Sequence, residues 1–270
     1  MNDLDTVSIA AGAFLMGSPA GEPGRRPDEG PQHKVEISQL DCMRYPVTRR
    51  LYASVMGIDP AQSWFEYARR IGRSLEGWAS EPDSAPTTWL RWTEAIQFCN
   101  ALSERNGLEP CYALAGLPST NASYDSKVTW NRSAGGFRLP TEAEWEYACR
   151  AGSTTRWSHG DDEAALGRYA WLRERIDSTP HAVGEKAPNP SGLFDMHGNV
   201  AEWCYDSCRA YTPDDRRHPH PIGDAVNIYR AARGGSGHGD PSGCRSAARN
   251  SLMRTTVNVT LGFRCVRGPS

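Results

Sequence analysis

Apolar residues recur at helical spacing in three stretches of the chain and alternate in short runs elsewhere. Trp92, Ala95, Cys99 and Leu102 fall on one face, and Asn106-Gly107 supplies a stop, which predicts a helix over 91–105. A second helix is predicted over 141–151. Pro140 ends whatever precedes it, Thr141 can cap the first turn, and Glu144 three residues on completes a capping box. Trp145, Ala148 and Cys149 then share a face, and Gly152 provides the stop. Tyr52 and Met56 mark one side of a short helix from Thr48 to about Gly57. VSIAAGAFLMGS and HKVEIS, within residues 1–40, are short β-like runs. Between Cys111 and Arg138, pieces such as SKVTW predict a small hairpin.

The polar stretches separate these elements. SPAGEPGRRPDEGPQ, 18–32, is rich in Gly, Pro and charge and predicts an exposed loop. Residues 58–87 hold Trp64, Phe65, Tyr67 and Trp78 among charges, consistent with a helical turn or two and a loop ending at Pro86. Segments 153–191 and 209–224 are loop-like. No repeat, linker or low-complexity tract divides the sequence, so residues 1–270 are expected to form one domain. Loops this long in a compact domain usually carry function.

Composition narrows the classes. Apolar residues make up 39% and tryptophans number nine, ample for a core. A net charge of −2 argues against electrostatic capture of nucleic acid or an anionic membrane surface. Nothing approaches a transmembrane span, and Met-Asn-Asp-Leu-Asp lacks the marks of a signal peptide, so a cytoplasmic protein is expected. Of the eight cysteines, most should be thiols in that compartment. Cys42 and Cys111 are expected as small buried hydrophobes, and Cys204 and Cys208 are poorly spaced for zinc.

RLPTEAEWEYACRAG at 138–152, GLFDMHGNVAEW at 192–203, RGGS at 233–236 and LGFRCVR at 261–267 resemble the motif series of the formylglycine-generating enzyme (sulfatase-modifying factor) family. FLMGS at 14–18, YPVTRRLY at 45–52 and TWLRWTEAIQFCNALSE at 88–104 fit its N-terminal half, so the resemblance spans nearly the whole chain in order. It implies an α+β variant of the C-type lectin fold with much irregular structure. The function stays open, because the family includes copper oxidases, iron-dependent oxygenase domains and non-catalytic binding proteins.

Several site expectations follow from the resemblance. In secreted members the cysteine matching Cys99 pairs with the one matching Cys265. A second pair would join Cys149 to the position that is Ser246 here, with Cys244 two residues earlier and on the same face if the segment is a strand. The family's oxidases hold copper(I) on two thiolates between the GGS and AAR motifs, as that soft ion prefers. Here GHGDPSGC, 237–244, has one cysteine, so no copper is expected at Cys244. His238 and Asp240 form an H-x-D pair, two ligands of a facial iron triad, whose third would be His197, His218 or His220; solvated loop residues are the plainer reading. Asn199, Val200 and Glu202 resemble a structural calcium site, against which stands a tight turn at Gly198-Asn199 with Glu202 paired to an arginine.

In the lectin architecture, residues 237–260 form the exposed ligand face. Variable proteins of diversity-generating retroelements display changeable residues on this same segment, and its small, polar, mildly apolar side chains resemble theirs. His238, Asp240, Ser242, Ser251, Leu252, Thr255, Thr256 and Val257 are expected on one exposed surface, with Arg245, Arg249 and Phe263 inward. Two classes result. The first is a non-catalytic binder of a protein or other macromolecular ligand. The alternative is a metal-dependent oxidase or oxygenase.

Overall fold

A computed structural model of the chain describes residues 4–62, 66, 82–115, 127–172, 179–212 and 228–268. Four strands open it: β1 (Thr6–Ile9), β2 (Gly12–Met16), β3 (His33–Ile37) and β4 (Leu40–Met43). Helix α1 (Arg49–Met56) and helix α2 (Trp92–Arg105) follow, then the hairpin β5 (Tyr112–Ala115) and β6 (Lys127–Trp130), and helix α3 (Glu142–Arg150). The last strands are β7 (Ala201–Trp203), β8 (Tyr229–Arg233), β9 (Arg249–Met253), β10 (Leu261–Gly262) and β11 (Val266–Arg267). They make a three-stranded sheet ordered β1-β4-β11, a four-stranded sheet ordered β10-β7-β8-β9, and the hairpins β2-β3 and β5-β6. This is the mixed α+β architecture expected, with the helices and the 111–138 hairpin where the periodicity put them. Trp64, Phe65, Tyr67 and Trp78 lie outside the described residues.

Two cores sit on either side of the four-stranded sheet. Ala232 of β8 belongs to one, with Trp92, Phe98, Trp203 and Phe263. Its chain neighbour Ala231 belongs to the other, with Trp145, Ala148 and Met16. That is the period-two alternation of a strand buried on both faces. Tyr52 stacks on Phe98 with ring centroids 5.2 Å apart, and Phe263 meets Phe98 edge-on at the same distance. The thiols of Cys99 and Cys265 lie 3.6 Å apart, as the pairing of FCN with GFRC implies.

Helix α3 is capped as its sequence predicts. Thr141 Oγ1 accepts from the Glu144 amide at 3.1 Å, and Glu144 Oε2 accepts from the Thr141 amide at 2.8 Å. The amphipathic reading is nevertheless incomplete. Glu142, Glu144, Glu146 and Arg150 are buried along with Trp145, Ala148 and Cys149, so only Tyr147 is part-exposed. Every buried charge on the helix has a partner, which is the condition for keeping it out of water. The 18–32 loop also departs from expectation. Glu29 is fully buried, Ser18 is buried, and Pro27–Glu29 forms one turn of 3-10 helix.

Candidate functional site

Strands β8 and β9 pair antiparallel from Tyr229 opposite Met253 to Arg233 opposite Arg249, and the chain between them, 234–248, is a series of turns. Gly234 and Gly235 take left-handed backbone, with φ of 95° and 68°. A Cβ on Gly235 would lie 2.5 Å from Cys244 Sγ, so RGGS needs glycine there for conformation and for space. Gly239 N donates to Ser236 O at 2.9 Å, and Asp240 Oδ1 accepts from Ser242 Oγ at 2.6 Å and Gly243 N at 3.1 Å. Each is a short-range turn bond of the kind Asp and Ser favour.

Beneath these turns lies a frame of buried arginines. Arg245 Nη2 donates to Glu29 Oε1 at 2.6 Å and Nη1 to Glu29 Oε2 at 2.8 Å, while Nη1 also reaches Glu22. The 18–32 loop is thereby tied to the segment. Arg249 makes a two-point pair with Glu142 and donates to Asp28 O at 2.7 Å. Arg233 bonds Glu146 and lies 3.4 Å from Glu142. Burial works against the Arg249 charge, and Glu142 beside it more than restores it, leaving the guanidinium above its usual range.

The eight residues expected on one surface divide. Asp240, Ser242 and Ser251 are exposed, and His238, Thr255, Thr256 and Val257 are half-buried. Arg245, Arg249 and Phe263 point inward as expected. Leu252 departs from the group. It neighbours Ser251 on a strand, so the two point to opposite faces, and Leu252 packs on the core that holds Trp92. Sequence reasoning missed Tyr229 and Met253, opposite each other and 44% and 40% exposed. The period-two step from Ser251 to Met253 was the available signal.

The metal candidates are otherwise engaged. Glu202 accepts from Arg264 Nε and Nη2, both at 2.7 Å, and from Trp145 Nε1 at 2.8 Å. Asn199, at φ 63°, accepts from His181 N at 3.0 Å and donates to His181 O at 3.1 Å. Asn199 is thus tied to the 181 loop and Glu202 carries the charge of Arg264. The turn at Asn199 and the pairing of Glu202 with an arginine are both present. His197 Nδ1 donates to Cys244 O at 2.9 Å, and Nε2 accepts from Ser158 N at 3.1 Å. Burial pulls its pKa down to about 4, so the ring is neutral, and with both nitrogens engaged in hydrogen bonds neither is turned to a metal. His218 and His220 lie outside the described residues. Among the described residues no three His, Cys, Asp or Glu side chains converge as a metal cluster.

The cysteines are all thiols. Burial pushes Cys244 and Cys149 each up to about 12, so without a metal both stay protonated at neutral pH. Residues 241–247 form turns and no strand, so Cys244 does not take the place of Ser246. Cys149 Sγ faces Ser246 Oγ at 3.7 Å, the position the resemblance assigned to its partner. A cavity of about 500 Å³ lies elsewhere, lined by Phe14, Leu15, Gln32, Tyr147 and Arg150 among others.

Comparison with known proteins matches residues 2–269 to the family described as Sulfatase-modifying factor enzyme 1-like domain. The formylglycine-generating enzyme of Mycobacterium tuberculosis is 29% identical over 98% of both chains. Serine/threonine-protein kinase pkn1 of Chlamydia caviae is 31% identical over 98% of this chain, which spans 38% of that protein's length. Among solved structures, Treponema denticola variable protein 1 superposes with a TM-score of 0.80 at 32% identity, covering 98% of this chain and 95% of that one.

Proposed function

The chain belongs to the family of the Sulfatase-modifying factor enzyme 1-like domain, and we propose that it works as a non-catalytic binding module whose recognition face is residues 237–260. One observation carries the reading. Exposed Asp240, Ser242 and Ser251 stand on turns and a strand that buried Arg233, Arg245 and Arg249 fix from below. Rigid support under changeable side chains is the arrangement binding proteins use. The likeness to a protein named variable protein 1 supports it. The ligand class that suits so open a face is a protein or another macromolecule, since small molecules take concave sites. The oxidase alternative needs two thiolates in the 237–244 interval, which holds one cysteine.

The test is a phage library randomised at Asp240, Ser242, Ser251, Thr255 and Thr256, selected against several unrelated purified proteins. Folded binders with distinct sequences for each target are expected. If the library members lose their thermal transition, or no target enriches anything, the face is not a display surface.

A further inference from the structure

Strand β2 has an open edge, and a cavity runs along it. Its ladder with β3 pairs Gly12 with Ile37 through to Met16 with His33. Among the described residues no main-chain bond joins Gly17 to Gln32 or Ala11 to Ser38, and Gly17 N donates instead to Glu146 Oε1 at 2.9 Å. The hydrogen-bonded pairs are therefore those of Gly12, Phe14 and Met16. By alternation the N–H and C=O groups of Ala13 and Leu15 turn away from β3. Among the described residues no other hydrogen bond takes them up. Ala13 is exposed, and so is Leu15, at 54%.

The edge reads GAFLM, with neither charge nor proline, whereas β3 carries exposed Lys34 and Glu36. Free edges are normally guarded by charge or proline, so β2 is left receptive to another strand. Across the cavity of about 500 Å³ stand Tyr147 and the turn at 152–154. Phe14 and Tyr147, with ring centroids 5.4 Å apart, give it apolar surface. Arg150 also lines it, but that guanidinium is already satisfied by Glu146 at 2.9 Å, Gly17 O at 2.9 Å and Thr155 O at 3.2 Å. A second hollow of about 320 Å³ shares Pro19 and Thr154 with the first and runs past Glu22 and Arg156. Glu22 accepts from Arg245, and Arg156 O accepts from Ser246 N at 2.7 Å, so the groove leads to the recognition segment.

We propose that an extended, uncharged segment of the partner protein adds to the edge of β2 as a third strand, opposite residues 13–15, with an apolar side chain seated among Phe14, Leu15 and Tyr147. The inference rests on the binding reading above and gives the partner a second contact, continuous with the recognition face. In strand addition the main-chain groups supply affinity and the pocket beside the edge selects the side chain. The cavity has the volume of a small-ligand site. Its second wall leaves room for one extended chain and not for the whole sheet of a second copy.

The experiment is selection of a random heptapeptide phage library on the full chain, followed by fluorescence polarisation of the enriched peptides, synthesised with a dye. Peptides with apolar residues at alternate positions and saturable binding are expected. Ala13→Pro removes one outward N–H, which an edge strand tolerates, and Leu15→Glu sets a charge beside the hollow at an exposed position. Each should weaken binding roughly tenfold or more. Methylating the peptide's main-chain nitrogens at alternate residues should abolish binding in one phase and spare it in the other, the mark of pairing along one strand edge. No enrichment, or peptides that bind Ala13→Pro and Leu15→Glu as they bind the parent, overturns the proposal. So does dimerisation of the chain that Leu15→Glu abolishes in sedimentation, which would give the edge to a second copy. If Ala13→Pro loses its thermal transition, Leu15→Glu carries the test alone. Failure here while the library randomised on the recognition face succeeds removes the edge contact and leaves that face standing, whereas failure of that library alone removes the face.

Discussion

Arg249 and Glu142 close a two-point ion pair between residues 107 positions apart, Nε to Oε1 at 2.6 Å and Nη2 to Oε2 at 2.8 Å. Both are fully buried, so the pair fastens the start of β9 to the first turn of α3 with no water to replace either partner. Arg249→Met should therefore destabilise the fold by about 3–5 kcal/mol, the cost of stranding a buried charge. Arg249→Met with Glu142→Leu should recover part of that, since Arg233, 3.4 Å from Glu142, keeps Glu146. Urea unfolding of the two variants checks this; a single variant costing under about 1 kcal/mol would show that the pair is no anchor.

Local chemistry explains which parts of this were legible. The Thr141–Glu144 box, the α2 stripe and the hairpin depend on residues a few positions apart, and the sequence displays them. The frame under the recognition segment does not. Glu22 and Glu29 meet Arg245 over 223 and 216 positions, and a loop rich in Gly, Pro and charge looks solvated until that partner is known. Ser251 and Leu252 were placed together for the same kind of reason. Their composition is alike in size and modest polarity, and only the strand register assigns them to opposite faces.

The Cys99 and Cys265 thiols, 166 positions apart, need only a small shift from 3.6 Å to form a bond. Burial raises Cys99 well above its usual range, so oxidation should be slow at neutral pH and faster in alkali. Diamide treatment should remove two hydrogens by mass spectrometry and raise the melting temperature. Closing so long a loop is worth about 5 kcal/mol on the chain-entropy account. Cys99→Ala should abolish both effects. A bridge mapped by peptide analysis to Cys204 and Cys208 instead would contradict the expectation.

Asp206 sets a pH dependence whose sign is fixed. Burial, with Glu142 and Glu144 nearby, raises its folded-state pKa. An acid with a raised folded pKa contributes most below its unfolded value of about 3.9 and loses that contribution as pH climbs through the folded pKa. Asp206→Asn keeps an oxygen for the Glu142 amide and removes the titration. The stability of the variant relative to the parent should therefore rise with pH above about 4. Equilibrium unfolding at several pH values measures the difference, and a flat difference above about pH 4 would mean that Asp206 is ionised in the folded protein.

The division within the recognition segment can be read from stability. Ser251 is exposed on β9, whereas Leu252 packs on the core containing Trp92 and Trp203. Asp240, Ser242 and Ser251 should accept replacement by Ala or Thr within about half a kcal/mol, as exposed positions do. Leu252→Ala should cost more, about 1–3 kcal/mol, because the methyl groups removed leave space that neighbours only partly fill. Met253, 40% exposed, should behave like Ser251 although it is the larger apolar residue, since register and not hydrophobicity sets its face. Thermal melts of the five single variants decide the matter. Equal costs at Ser251 and Leu252 would mean that β9 does not separate a display face from the core.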